Sequence, residues 1–103
     1  LGDTPEMRAL VGQQLCLRGT LTRDGSTIEL VCRGGERFDV ELARQGGTID
    51  KFLDFFADGQ TELRLDVVLD EVYLTRKQES TGVIGRVKLH SASAQNYHVV
   101  TMR

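Results

Sequence analysis

Asp66, Asp70 and Glu71 are the residues of this chain whose type and crowding come closest to acid–base or metal chemistry. Such chemistry needs a carboxylate whose proton affinity is shifted by burial or by a neighbouring charge, or several carboxylates converging on one ion. Here they share strand spacing with Arg64, Arg76 and Lys77, as on a solvated face. No serine or histidine stands where a nucleophile–base relay can be read from the sequence. His90 and His98 are the two histidines, and neither has a cysteine beside it to complete a metal set. Cys16 and Cys32 fit no zinc spacing; they read as two reduced strand residues, with a cross-strand disulfide as the alternative. Gly34-Gly35 and Gly46-Gly47 lack the spacings of phosphate-cradling loops and read as turns. The sequence predicts no catalytic residues, no metal site, no cofactor and no enzyme activity.

Binding asks for different residues. A single nucleic-acid strand is held by cations along its phosphates and by aromatic faces under its bases, each stacked base being worth roughly 1–3 kcal/mol. The candidate cations are Arg18, Arg64, Arg76, Lys77, Arg86 and Lys88. Aromatics are scarce, four Phe and two Tyr. Helical spacing commits Phe52 and Phe56 to a buried stripe, and strand alternation commits Phe38. Phe55, Tyr73 and Tyr97 remain as possible stacking platforms, and Tyr73 joins the cations as a nucleic-acid-binding candidate. Phe55 lies one residue off the Phe52/Phe56 stripe, which leaves its ring partly exposed or tucked under a neighbouring loop. With Tyr97, Val99 and Val100 it is the candidate contact for a partner protein.

The elements that must position these residues are short. Thr4-Pro5-Glu6 reads as a helix start, with Thr4 as cap, followed by an apolar stripe of Met7, Leu10 and Val11 that Gly12 ends. From Gln14 the period becomes two. Leu15, Leu17 and Leu21 fall on one face, and Cys16, Arg18, Thr20 and Thr22 on the other. Gly19 marks a kink or bulge in that strand. Asp24-Gly25 signals a hairpin. Ile28, Leu30 and Cys32 line a second strand, and Phe38, Val40 and Leu42 a third. Thr48 caps a second helix with Ile49, Phe52, Leu53 and Phe56 on one face, stopped by Asp58-Gly59. Leu63, Leu65 and Val67 face inward from a fourth strand, and a bulge near Val67-Val68-Leu69 would move the inward set to Val72 and Leu74. Gln78 to Gly82 reads as an exposed loop. Val83 to His90 is a fifth strand with Arg86, Lys88 and His90 on one face, and Ser91 to Asn96 is a polar segment. Tyr97 to Met102 is a last strand or the start of a helix.

A chain of 103 residues fits one domain, residues 1–103. Forty per cent hydrophobic and 27% charged residues describe a folded chain and argue against disorder. No apolar run reaches the roughly 20 residues of a membrane helix, and the first residues lack a basic stretch followed by an apolar core. Leu1 is not an initiator methionine, so the natural start is expected upstream. The net charge of −2 hides a split. Residues 1–75 carry 8 Lys+Arg against 14 Asp+Glu, whereas residues 76–103 carry 5 against 1. An acidic body with one basic end can still attract a polyanion locally.

Three meandering strands, a helix, then further strands is the order of the OB-fold, a small five-stranded barrel. The expected fold is therefore all-β with one or two short helices, and another small α+β roll with the same element order is the alternative. The run Met7 to Leu21, with its Val11-Gly12 step and Gly19 in the first strand, resembles the opening of the small subunit of replication protein A, as does the third strand Arg37 to Leu42. Asn96 to Val100 is similar to that family's lead into its C-terminal helix. Three departures stand out: residues 48–81 are longer than the family's equivalent, the family's glycine within the fourth strand stands here as Asp66 or, in another register, as Gly85, and the long C-terminal helix is absent or truncated. The resemblance implies a non-catalytic subunit of an intracellular, nuclear complex on single-stranded DNA or RNA. Its barrel would chiefly mediate assembly with other subunits and would touch the strand weakly. The alternative is a pure protein-interaction adaptor that touches no nucleic acid.

Overall fold

The computed structural model describes residues 5–44, 48–73, 82–94 and 97–100. Two helices and six strands follow in the order α1 (Pro5–Ala9), β1 (Gln14–Asp24), β2 (Thr27–Cys32), β3 (Arg37–Leu42), α2 (Thr48–Phe56), β4 (Leu63–Val72), β5 (Val83–Ala94) and β6 (Tyr97–Val100). The sheet order is β3-β2-β1-β4-β5-β6, and a parallel β3–β5 pairing joins its ends across the first five strands. The result is a closed five-stranded barrel of the OB-fold-like type, with β6 as an appended edge strand.

Alternation builds the wall. Leu21, Leu30, Leu65, Val87 and Leu89 are fully buried, and their sequence neighbours point outward. Ile49, Phe52 and Leu53 of α2 enter the same cluster, so the helix buries its apolar face against the barrel core as its spacing predicts. α2 ends at Phe56, and the turn after it is held by Asp58, whose carboxylate accepts hydrogen bonds from the amides of Thr61 and Gln60 at 2.8 and 2.9 Å.

Closure depends on two glycines. β1 pairs with β4 over Gln14–Gly19 and with β2 over Gly19–Asp24, so Gly19 sits where one strand serves both neighbours. A Cβ there would strike the carbonyl oxygen of Val31. Gly85 lies likewise between Phe38 of β3 and Val72 of β4, and its Cβ would strike the carbonyl oxygen of Glu71. The kink expected at Gly19 is thus the point where β1 changes partners.

Bulges set the registers, and the one expected near Val67-Val68-Leu69 falls just beyond it, at Asp70. Leu69 pairs with Val87 and Glu71 with Arg86, which leaves Asp70 as the extra residue. Leu69 stays inward and Val72 packs against the core. Leu74 lies outside the described residues, as does Thr4. A second bulge at His90 lets β5 continue beyond its expected end. Ser91 and Ser93 then pair with Asp66 and Arg64, and Ala92 and Ala94 are buried. The segment read as polar is therefore barrel strand as far as Ala94. β6 settles the last alternative for its described residues: Tyr97–Val100 is a strand. The stripe predicted for α1 is only partly realised. Met7 packs against the core, whereas Leu10 and Val11 are exposed.

Candidate binding surfaces

β6 and α2 build an apolar groove. Tyr97 and Val99 project from one face of β6, and Phe52, Phe55 and Phe56 from α2, with Thr48 and Lys51 at the rim. The groove holds about 320 Å³. Its rings are in ordered contact, with Phe56 4.8 Å from Phe52 and 5.6 Å from Tyr97, centroid to centroid. Phe55 is 80% exposed and Tyr97 61%. Of the two readings for Phe55, the exposed one holds. Val100 leaves on the opposite face of β6, where it lines a separate depression with Leu15 and Val67. Sequence reasoning found Phe55, Tyr97 and Val99 but missed Phe56 as part of this surface, because its helical spacing alone assigns it to the core.

The outer edge of β6 has no strand beside it among the described residues. Its amides and carbonyls are a ready template for an added strand.

The predicted cations separate into two places. Arg18 and Arg64 lie opposite each other on the outer face of β1 and β4, both exposed. Arg86 lies on β5, in register with Asp39 of β3 and Glu71 of β4, and is engaged by carboxylates, donating to Asp70 at 2.7 Å and to Glu71 at 3.0 Å, with Glu41 at 3.9 Å. These contacts, that to Asp70 foremost, hold its guanidinium more firmly charged. Lys88 sits in register with Glu41 on the same acidic wall. Arg86 is thus not a free cation awaiting a phosphate. Tyr73 is corrected more sharply. Its ring is buried, and its hydroxyl donates to Asp39 at 2.6 Å, so no face is open for a base to stack on. Arg76 and Lys77 lie outside the described residues.

The wall formed by β2 and β3 is where OB-folds commonly take oligonucleotides. Here it carries Glu29, Asp39 and Glu41. Glu29 accepts a 2.8 Å hydrogen bond from Nε of Arg37.

The carboxylates that opened the catalytic question do not converge. Asp66 accepts the Ser91 hydroxyl at 2.6 Å, whereas Asp70 and Glu71 both face Arg86. Cys16, Asp66 and His90 line one depression of about 490 Å³. No hydrogen bond joins them: the Cys16 sulfur takes Nε of Arg64 at 3.2 Å, and Asp66 takes Ser91. No group of three His, Cys, Asp or Glu among the described residues is placed to hold a metal. Both cysteines are free thiols, Cys16 exposed and Cys32 half-buried. Among the described residues no helix is long and apolar enough to cross a membrane.

Comparison with family models, with curated proteins and with solved structures returns no match for this chain.

Proposed function

We propose that this chain is a non-catalytic OB-fold subunit of a single-stranded nucleic-acid-binding complex, and that its main task there is assembly. The groove between α2 and β6 carries the reading. Phe55 is 80% exposed on its helix face and meets the ring of Phe56 at 6.3 Å, so most of its surface is left uncovered in the isolated chain. Covering one such ring is worth about 1.5–3 kcal/mol.

The occupant is an extended segment of a partner subunit. It adds to the free edge of β6 and sets alternate apolar side chains over Phe55, Phe56 and Tyr97. Lys51 is the charged residue of the groove lining, which favours a carboxylate on that segment. Contact with the strand is subordinate in this reading, because Arg86 is neutralised and Tyr73 is buried. The acidic β2–β3 wall favours the second reading, an adaptor without nucleic-acid contact.

Photo-crosslinking from benzoylphenylalanine at position 55 in cells tests both, with position 27 on exposed Thr27 as control. A specific adduct with one protein that copurifies with single-stranded nucleic acid is the expected result. An adduct with a protein free of nucleic acid selects the adaptor. No adduct above the control, or one with a second copy of this chain alone, overturns the assembly reading.

A further inference from the structure

Register places five polar residues of five different strands or turns in one line across the outer surface. The amide of Arg33, just after β2, donates to the carbonyl of Arg18 at 3.1 Å. Arg18 of β1 pairs with Arg64 of β4, Arg64 with Ser93 of β5, and Ser93 with His98 of β6. The last two are also joined by a 2.6 Å contact between the Ser93 hydroxyl and Nδ1 of His98. Adjacent strands lie about 4.8 Å apart, so the three guanidinium stems stand within roughly 10 Å.

Like charges directly opposite on adjacent strands destabilise a sheet. The fold offsets the Arg18–Arg64 pair without a direct ion pair, through the Coulomb pull of Glu62 on Arg18 and of Asp66 on Arg64. Glu62 is the carboxylate of the basin these arginines line, and it bonds Arg33 at 2.6 Å. Arg18 has no side-chain hydrogen bond or ion pair among the described residues, and Arg64 spends its Nε on the Cys16 sulfur, leaving its two terminal nitrogens. Two forked donors therefore face solvent side by side in a chain whose first 75 residues are otherwise strongly acidic.

We infer that the row Arg33–Arg18–Arg64–Ser93–His98 is a phosphate-binding track for the backbone of a single-stranded nucleic acid, running across β1, β4 and β5 and away from the β2–β3 wall. Forked guanidinium groups match phosphate oxygens in pairs. The basin offers no exposed aromatic face and no open strand edge, so it holds a charged polymer by its backbone and does not read bases. An acidic peptide could also meet an arginine cluster, but side-by-side forks repeating across the strands suit the regularly spaced phosphates of a nucleic-acid backbone, and competition by polyglutamate separates the two. The inference names the contact through which the proposed complex touches its strand, and so rests on that reading. Its test uses the isolated chain, which separates its failure from failure at the α2–β6 groove.

Fluorescence anisotropy with a labelled oligothymidylate of roughly 20 nucleotides, from about 20 to 200 mM KCl, reads the track directly. With Arg33 held by Glu62, phosphate contacts from Arg18 and Arg64 on a single strand predict a slope of log affinity against log salt of about −1.4. Arg18→Ala and Arg64→Ala should each flatten that slope by about 0.7 and weaken binding several-fold at low salt. Arg86→Ala should change neither. Circular dichroism melts confirm that the variants fold, and Arg18→Lys should restore part of the affinity. Absence of binding at the lowest salt, equal loss from Arg86→Ala, or competition by polyglutamate as strong as by unlabelled oligothymidylate overturns the track.

Discussion

The hydroxyl of Tyr73, just past the end of β4, donates a 2.6 Å hydrogen bond to Oδ2 of Asp39 on the outer face of β3. β4 and β3 are not neighbours in the sheet, and β5 lies between them. The amide of Tyr73 also donates to the carbonyl of Ile84 at 3.0 Å. Tyr73 thus fastens the exit of β4 over the seam where β3 and β5 close the barrel.

Tyr73→Phe keeps the ring and removes the hydroxyl. It should lower unfolding free energy by about 1–2 kcal/mol, read from urea denaturation at neutral pH. Burial first, and the Asp39 carboxylate second, push the phenol above the ordinary tyrosine range. A group raised in the fold stabilises it at pH values below its ordinary range, and that share is lost as pH rises through the raised value. Wild-type stability should therefore fall more steeply above about pH 10 than that of Tyr73→Phe. Parallel alkaline limbs would mean that the hydroxyl titrates as if free.

Gly85→Ala should cost more than the general penalty for losing a glycine. Its Cβ would meet the backbone oxygen of Glu71, which cannot rotate away. A loss of about 2–3 kcal/mol is expected, with a widened barrel seam. Gly25→Ala is the comparison. Gly25 has a φ of 62° but open space around it, so about 1–2 kcal/mol of conformational strain is its whole cost. Thermal melts of the two variants separate collision from conformation, and equal losses would remove the close-approach argument.

The cysteines should behave differently toward alkylation. Cys16 is exposed on the outer face of β1. Cys32 is half-buried at the end of β2, where burial and then the charge of Glu36 push its thiol up to about 11. Iodoacetamide at about pH 8 should modify Cys16 and leave Cys32 largely intact in the native protein, followed by mass spectrometry. The protonated Cys32 is the form the fold favours, so its contribution is present below the ordinary thiol range and fades as pH rises through about 11. Equal labelling rates would show that the end of β2 opens freely.

The barrel was largely readable because its signal is local. Period-two alternation in Leu15–Leu21, Ile28–Cys32 and Phe38–Val40, and helical spacing in Ile49–Phe56, each state one buried face. What escaped depends on register. Ser91-Ala92-Ser93-Ala94 alternates too, but alanine is small enough to look like loop until a bulge at His90 sets it inside. The same limit hid how the candidate cations group, since the sequence offers Arg18 and Arg64 singly and does not point to Arg33. Arg33, Arg18 and Arg64 are far apart in sequence, and only pairing across β2, β1 and β4 aligns them. Arg86 read as an available cation because its partners Asp70 and Glu71 reach it through a bulge that single-strand periodicity cannot count. Tyr73 read as exposed because its burial comes from closure between β3 and β5, a contact between distant strands.

Hydrogen exchange over Tyr97–Val100 addresses the assembly surface without relying on any side-chain change. The measurement compares the isolated chain with the complex recovered through a tag on it. The account predicts rapid exchange at the free edge of β6 in isolation, and at least about tenfold slowing in the complex as a partner strand takes those amides. Unchanged exchange at β6 in a complex that protects some other face would contradict it.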